Sequence, residues 1–153
     1  MQFGDYQIRL IDAADTIPIR NQVLRPHQTP AECEYDGDHD DGAFHFGAFS
    51  SADVLIGIAS VMPQAEQRFS QFQDATQHRL RGMAVLPDDQ GKGLGRALLD
   101  SCLEKSRASG CEVFWCNARV TAADFYLKSG FEKLQDEFEL PGIGRHYVMF
   151  KRQ

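Results

Sequence analysis

No run of apolar residues in this 153-residue chain approaches the ~18 that a membrane span requires. The opening residues, Met1-Gln2-Phe3-Gly4-Asp5, lack the basic-then-apolar pattern of a secretory signal, so the reading is a cytoplasmic protein with no membrane partner. Basic residues are scarce: 16 Lys and Arg against 22 Asp and Glu give a formal net charge of −6. That balance argues against nucleic acid as a general partner, because phosphate backbones bind basic faces. An anionic ligand held locally remains compatible, since a few amides and cations can bind phosphate inside an acidic protein. There are only four cysteines, at 33, 102, 111 and 116, with no CxxC pair and no histidine beside any of them. They read as small core residues in a reducing compartment. No repeat, low-complexity tract or Pro/Ser-rich linker divides the chain, and its length suits one domain over residues 1–153.

What is present is an alternation of strands and helices. Residues 6–11 alternate as a half-buried strand, and 15–24 form a first helix with Asp15 as its cap and Pro18 in its first turn. A very acidic loop over 34–42 follows, then a hairpin of strands 43–49 and 54–62 turned by Ser50-Ser51-Ala52-Asp53. The Gln-rich stretch 63–76 lacks periodicity and reads as a long loop or a frayed helix. Beyond it come a strand over 79–85, a helix over 96–109 stopped by Gly110, and a strand over 112–117. A short helix capped by Thr121 and ended by Gly130 leads into two closing strands over 131–140 and 145–151. Only the middle strand–helix–strand is a parallel unit, so the sheet is expected to be mixed.

Chemistry concentrates in Gln90-Gly91-Lys92-Gly93-Leu94-Gly95, set between a strand and a helix. Glycines let the backbone approach a phosphate closely, and the helix start adds unpaired N–H groups and its positive end. Lys92 and Arg96 add mobile charge. A Walker A loop would need Lys then Ser or Thr after its last glycine, but Arg96 follows Gly95. A dinucleotide fingerprint would place a third glycine where Arg96 stands, and 86–90 separate the strand from the glycines. A glycine-rich turn without a ligand is the plain alternative.

The run fits in full the Q/R-x-x-G-x-G/A motif between strand and helix, and here the chain resembles the GNAT superfamily of N-acetyltransferases. The resemblance spans about residues 80–131. It takes in Met83-Ala84-Val85-Leu86-Pro87 and Ala97-Leu98-Leu99. It also takes in the run from Ala122 to Phe131, similar to the family's A-x-x-F-Y-x-x-x-G-F segment. The tail from Leu140 to Tyr147 resembles a subgroup of small bacterial members. The fold so implied is an α/β (α+β) domain, with a mixed, splayed central sheet of about seven strands flanked by helices on both faces. The implied activity is N-acetyl transfer from acetyl-CoA, a co-substrate, to an acceptor amine by direct attack in a ternary complex, with no metal. The acceptor, a small molecule or a peptide, stays open, as does a homodimer. The alternative is a GNAT-shaped CoA-binding sensor or interaction module without turnover.

By the same resemblance, the amides of Gly91, Lys92, Gly93, Leu94, Gly95 and Arg96 would hold the CoA pyrophosphate, with Gln90 shaping the loop. Met83, Ala84 and Val85 would offer backbone groups to the pantetheine arm and the thioester carbonyl, where a preorganised N–H contributes most. Gly82 suits a bulge that opens the slot, and Asn117 would hydrogen-bond the arm. Tyr126 is the candidate general acid for the leaving thiolate; on periodicity alone it is a packed aromatic beside Phe125 and Leu127. Many members carry a carboxylate on the strand before the phosphate loop, but here that strand has Arg79 and Arg81. His146 is the first substitute as general base, with an ordinary half-buried histidine the plain alternative, and His45 and His78 follow. The acidic loop fails as an EF-hand, with Asp41 where glycine is needed and Gly47 where glutamate is needed. It is either a solvated turn or, through Glu34, Asp36 and Asp38, an attractor for a cationic amine.

Overall fold

The computed structural model describes residues 2–3, 5–134, 138–141 and 144–153. Nine strands build one sheet among the described residues: β1 (Gln2–Phe3), β2 (Tyr6–Ile11), β3 (Phe44–Phe49), β4 (Leu55–Pro63), β5 (Gln77–Val85), β6 (Val113–Arg119), β7 (Glu132–Lys133), β8 (Phe138–Leu140) and β9 (Gly144–Arg152). Their order is β1-β2-β3-β4-β5-β6-β9-β7, with β8 also on β9. The β5–β6 pair is parallel and the rest are antiparallel, as expected for a single strand–helix–strand crossover. The count exceeds seven because a short β1 pairs with β2 and because the expected strand over 131–140 is two pieces, β7 and β8. Residues 135–137 of that stretch lie outside the described residues, as do Gly142 and Ile143 of the tail motif.

Helices cover both faces. On one, α2 (Leu94–Ala108) buries Leu94, Ala97, Leu98, Leu99, Cys102 and Leu103 against Ile8, Phe44, Ala59, Val61 and Leu80. Each large apolar side chain so buried stabilises by roughly 1.5–3 kcal/mol. The short α3 (Ala123–Lys128) joins this layer through Ala123 and Tyr126. On the other face, α1 (Ala13–Ile19) sets Ile19 against Ile58 and Ala84. Beside it, Phe69 anchors the polar 64–76 loop by edge-on contacts with Trp115 and Phe150.

Three local expectations are corrected. Asp12, not Asp15, is the cap of α1; Asp15 sits at the third helical position and closes the capping box by accepting from the Asp12 amide at 3.0 Å. Pro18 therefore lies in the helix interior. Having no N–H, it breaks the regular ladder, and the chain continues as a π turn over Arg20–Leu24 with Arg25 N–H bonded to Arg20 C=O. Thr121 does not cap α3, which starts after Ala122 from a 3₁₀ turn over Val120–Ala122.

Candidate active site

The sheet opens in its middle. β5 and β6 pair only through Gln77–Val113, His78–Phe114 and Arg79–Trp115, and beyond Arg79 they part. On its other edge β5 carries a bulge: Ser60 faces Arg81 but Ile58 faces Ala84, so β5 fits an extra residue where Gly82 adopts φ +62°. A methyl group on Gly82 would sit 2.8 Å from the Tyr35 ring, so only glycine lets Tyr35 close on the bulge. The parted strands flank a cavity of about 550 Å³.

On its α2 side, Tyr126 lines this cavity together with Cys116 and Met83. The Tyr126 ring packs edge-on to Phe125 at 5.1 Å and Phe131 at 5.3 Å. Burial pushes the Tyr126 phenol well above its ordinary value, with the neighbouring thiols adding to the rise. It is a neutral O–H donor. Asn117 also lines the cavity, and its Oδ1 is buried without a hydrogen-bond partner. Buried orphans of this kind are uncommon, and this one belongs to a residue of the cavity wall.

The glycine loop stands at the end of β5. Gln90 donates from its side-chain amide to Val85 C=O at 3.0 Å, tying the loop to the strand. Gly91 and Gly93 have φ of +79° and +82°, and nothing lies within 4 Å of the position a Gly91 Cβ would take. Ala97 N–H is bonded to Gly93 C=O, so the amides of Leu94, Gly95 and Arg96 precede the first helical acceptor. A methyl on Gly95 would lie 3.9 Å from Phe125, which places the loop beside the helix that carries Tyr126. Lys92 is held by Asp89 at 3.1 Å and Arg96 by Asp100 at 3.2 Å. Ala84 turns its side chain to Ile19 and Ile58, leaving backbone groups as its contribution to the opening. The free β5 edge, the unpaired amides and the Asn117 carbonyl together fit a long ester with an amide-bearing arm and a diphosphate.

On the α1 side lie the arginines Arg25, Arg79, Arg81 and Arg119, with His146. His146 is buried, and its Nδ1 is 2.9 Å from Gly144 C=O. A carbonyl only accepts, so Nδ1 carries the proton and Nε2 the lone pair. His45 and His78 are elsewhere. His45 donates from Nε2 to Asp38 C=O at 3.0 Å and holds Ser60 at 2.7 Å, while His78 meets Ser106 at 2.6 Å beneath α2. Burial lowers the His78 pKa, as expected of a packed neutral ring.

The acidic loop reaches the cavity through Tyr35, but none of its acidic side chains lines it. Asp38 turns inward and takes Arg20 in a two-pronged ion pair at 2.7 and 2.8 Å, with the Tyr35 amide donating to it at 2.9 Å. Burial alone would push the Asp38 carboxyl up, but the bonds from Arg20 and Tyr35 and the Arg20 charge outweigh it and hold it below the ordinary carboxylate range. Glu34 and Asp36 are exposed and do not line the cavity. Among the described residues no group of three His, Cys, Asp or Glu is placed to hold a metal, and no helix is long and apolar enough to cross a membrane. Sequence reasoning missed Tyr35, Arg25 and Arg119. It noted Arg79 and Arg81 only as replacing an acid, although their spacing of two on a strand already put both on one face.

A mixed sheet parted after a parallel pair, with a glycine loop leading into the crossover helix, defines an acyl-CoA-dependent N-acyltransferase. The acetyltransferase (GNAT) domain family matches residues 20–151, and the chain belongs to that family. It is 39% identical over 145 residues, 95% of either chain, to the uncharacterized N-acetyltransferase YitI of Bacillus subtilis (strain 168). Among solved structures, Escherichia coli ElaA shares the fold with a TM-score of 0.73 at 16% identity, covering 96% of this chain and 99% of its own. FeeM, an N-acyl amino acid synthase from uncultured soil microbes, has a TM-score of 0.78 at 11% identity, with 96% and 90% covered.

Proposed function

We propose that the chain moves an acetyl group from acetyl-CoA to an acceptor amine by direct attack in a ternary complex. The observation that carries this reading is the parted β5–β6 edge, with Tyr126 on one wall and the glycine loop at its end. Gly91, Lys92, Gly93, Leu94, Gly95 and Arg96 would hold the diphosphate, Gln90 would fix the loop, and Met83, Ala84, Val85 and Asn117 would bind the arm. Acetyl-CoA supplies an activated acyl carbon when bound. The acceptor nitrogen forms the new N–C bond as the C–S bond breaks. His146 Nε2 takes the proton that the amine sheds, and the Tyr126 hydroxyl gives one to the departing sulfur. Each residue moves a proton in one direction only, and both are restored by exchange with water. The chemistry needs no metal.

Calorimetry with acetyl-CoA, with NAD and ATP as controls, tests the cradle; micromolar binding of acetyl-CoA alone is expected, and a preference for ATP or NAD would sink the reading. Release of free CoA thiol with an acceptor then distinguishes turnover from a silent CoA-binding module.

A further inference from the structure

We propose that the acceptor is a compact amine carrying its own anionic group, a carboxylate or a phosphate, which Arg79 and Arg81 hold on the α1 face of the opened sheet. This rests on the acetyl-transfer reading and adds the charge of the acceptor to it.

The cavity's polarity opposes that of the chain. The protein has a formal net charge of −6, yet four arginines line the cavity and no described lining residue is acidic. The Tyr35 ring is the centre of the cluster: the guanidiniums of Arg20, Arg81 and Arg25 lie 3.8, 4.1 and 4.8 Å from its centroid. One carboxylate, Asp38, answers Arg20. Arg25 turns to the Gln28 side chain and Glu32 C=O, neutral acceptors. Neither Arg79 nor Arg81 is in an ion pair among the described residues. Arg79 reaches Gln64 at 3.3 Å and stands 5.1 Å from the Trp115 ring, but its Nε is buried without a partner. Burial first, then repulsion by Arg81, pulls Arg79 down to about 10 despite the attraction of Glu66; burial also lowers Arg81. Arg79 and Arg81 are half-buried cations, and for a cation withdrawn from water an aromatic face compensates less than an oxyanion.

CoA's own phosphates do not answer this charge. Along β5, Leu80 points into the α2 core while Arg79 and Arg81 point the other way. The glycine loop opens α2, on the opposite side of the sheet. The wall also bears on the absent strand carboxylate. Positive charge around an ammonium disfavours its charged form, so an amine anchored by its anion would arrive closer to neutral and ask less of a base.

The test uses the full chain once acetyl-CoA binding is verified. Thiol release is measured with matched acceptors: an α-amino acid and its amide, an amino-sugar phosphate and its unphosphorylated parent, and spermidine. The anionic member of one pair should exceed its neutral partner at least tenfold in kcat/KM, and the winning pair names carboxylate or phosphate. Arg81→Gln should raise that acceptor's KM tenfold or more at unchanged acetyl-CoA Kd, with Arg81→Lys between. As a measurement independent of turnover, inorganic phosphate or acetate should raise the Tm of the CoA-saturated protein, and the double variant Arg79→Gln, Arg81→Gln should abolish that rise. Equal use of neutral amines or spermidine overturns the proposal, as does the lack of any anion effect on the CoA complex. Failure to bind acetyl-CoA removes the acetyl-transfer reading first and this proposal with it.

Discussion

Tyr126 and Cys116 are both buried and line the same cavity beside the parted strands, and burial keeps both groups protonated. The Tyr126 hydroxyl is therefore a neutral donor, and a developing thiolate in the cavity would be a stronger acceptor for it than any thiol. Tyr126→Phe keeps the ring and its edge-on contacts and removes only the hydroxyl. We expect kcat to fall by about 10²-fold, in line with loss of a positioned acid, with acetyl-CoA Kd within twofold. Steady-state kinetics with calorimetry checks this; an unchanged kcat would reduce Tyr126 to packing.

Alkaline stability follows from the same burial. Burial raises the Cys116 thiol to about 12 and the Cys102 thiol further, and it raises the Tyr126 phenol. Above the ordinary thiol value of ~8.5 the unfolded chain sheds protons that the folded chain keeps, so stability falls as pH rises. It is fully present below that value and lost progressively toward pH about 12. Urea unfolding at pH 7, 9 and 10 should show a decline, and Cys116→Ser should flatten it. A stability that rises from pH 8 to 10 would contradict the assignment.

Asp38 is needed because Arg20 has no access to solvent. Asp38→Asn leaves that charge buried and uncompensated, which should cost about 3–5 kcal/mol in unfolding free energy. The depressed carboxyl contributes stability above the ordinary value of ~3.9 and loses it as pH falls through the folded value. The variant should therefore lose part of the wild-type acid dependence, and a cost under 1 kcal/mol would remove the network from the frame of the site.

What was legible in the sequence was local. The glycine loop, the crossover helix behind it and the bulge at Gly82 each depend on a few adjacent residues whose backbone demands only glycine meets. The cavity's charge was not legible, since Arg25, Arg79, Arg81 and Arg119 come from three separate stretches and meet only through the fold. The acidic loop misled for the same reason: its composition looks solvated, but Asp38 points inward to a residue 18 positions earlier. Phe69 hid likewise inside a polar stretch, because one aromatic gives no periodicity, yet it is fully buried.

His146 offers the sharpest separation of chemistry from architecture. Its Nδ1 is committed to Gly144 C=O, so the ring orientation is set by the strand turn and the lone pair on Nε2 belongs to the cavity wall. An acceptor amine with pKa near ~10.4 is overwhelmingly protonated at neutral pH, and even a cationic wall leaves one proton to be moved. His146→Ala should lower kcat by about 10²-fold without changing acetyl-CoA Kd, and added imidazole should restore part of the rate. His146→Gln keeps polar bulk but no titrating nitrogen, so it should be equally slow. Were the glutamine variant to retain wild-type kcat, the ring would only be holding β8 against β9, and the proton would leave through water.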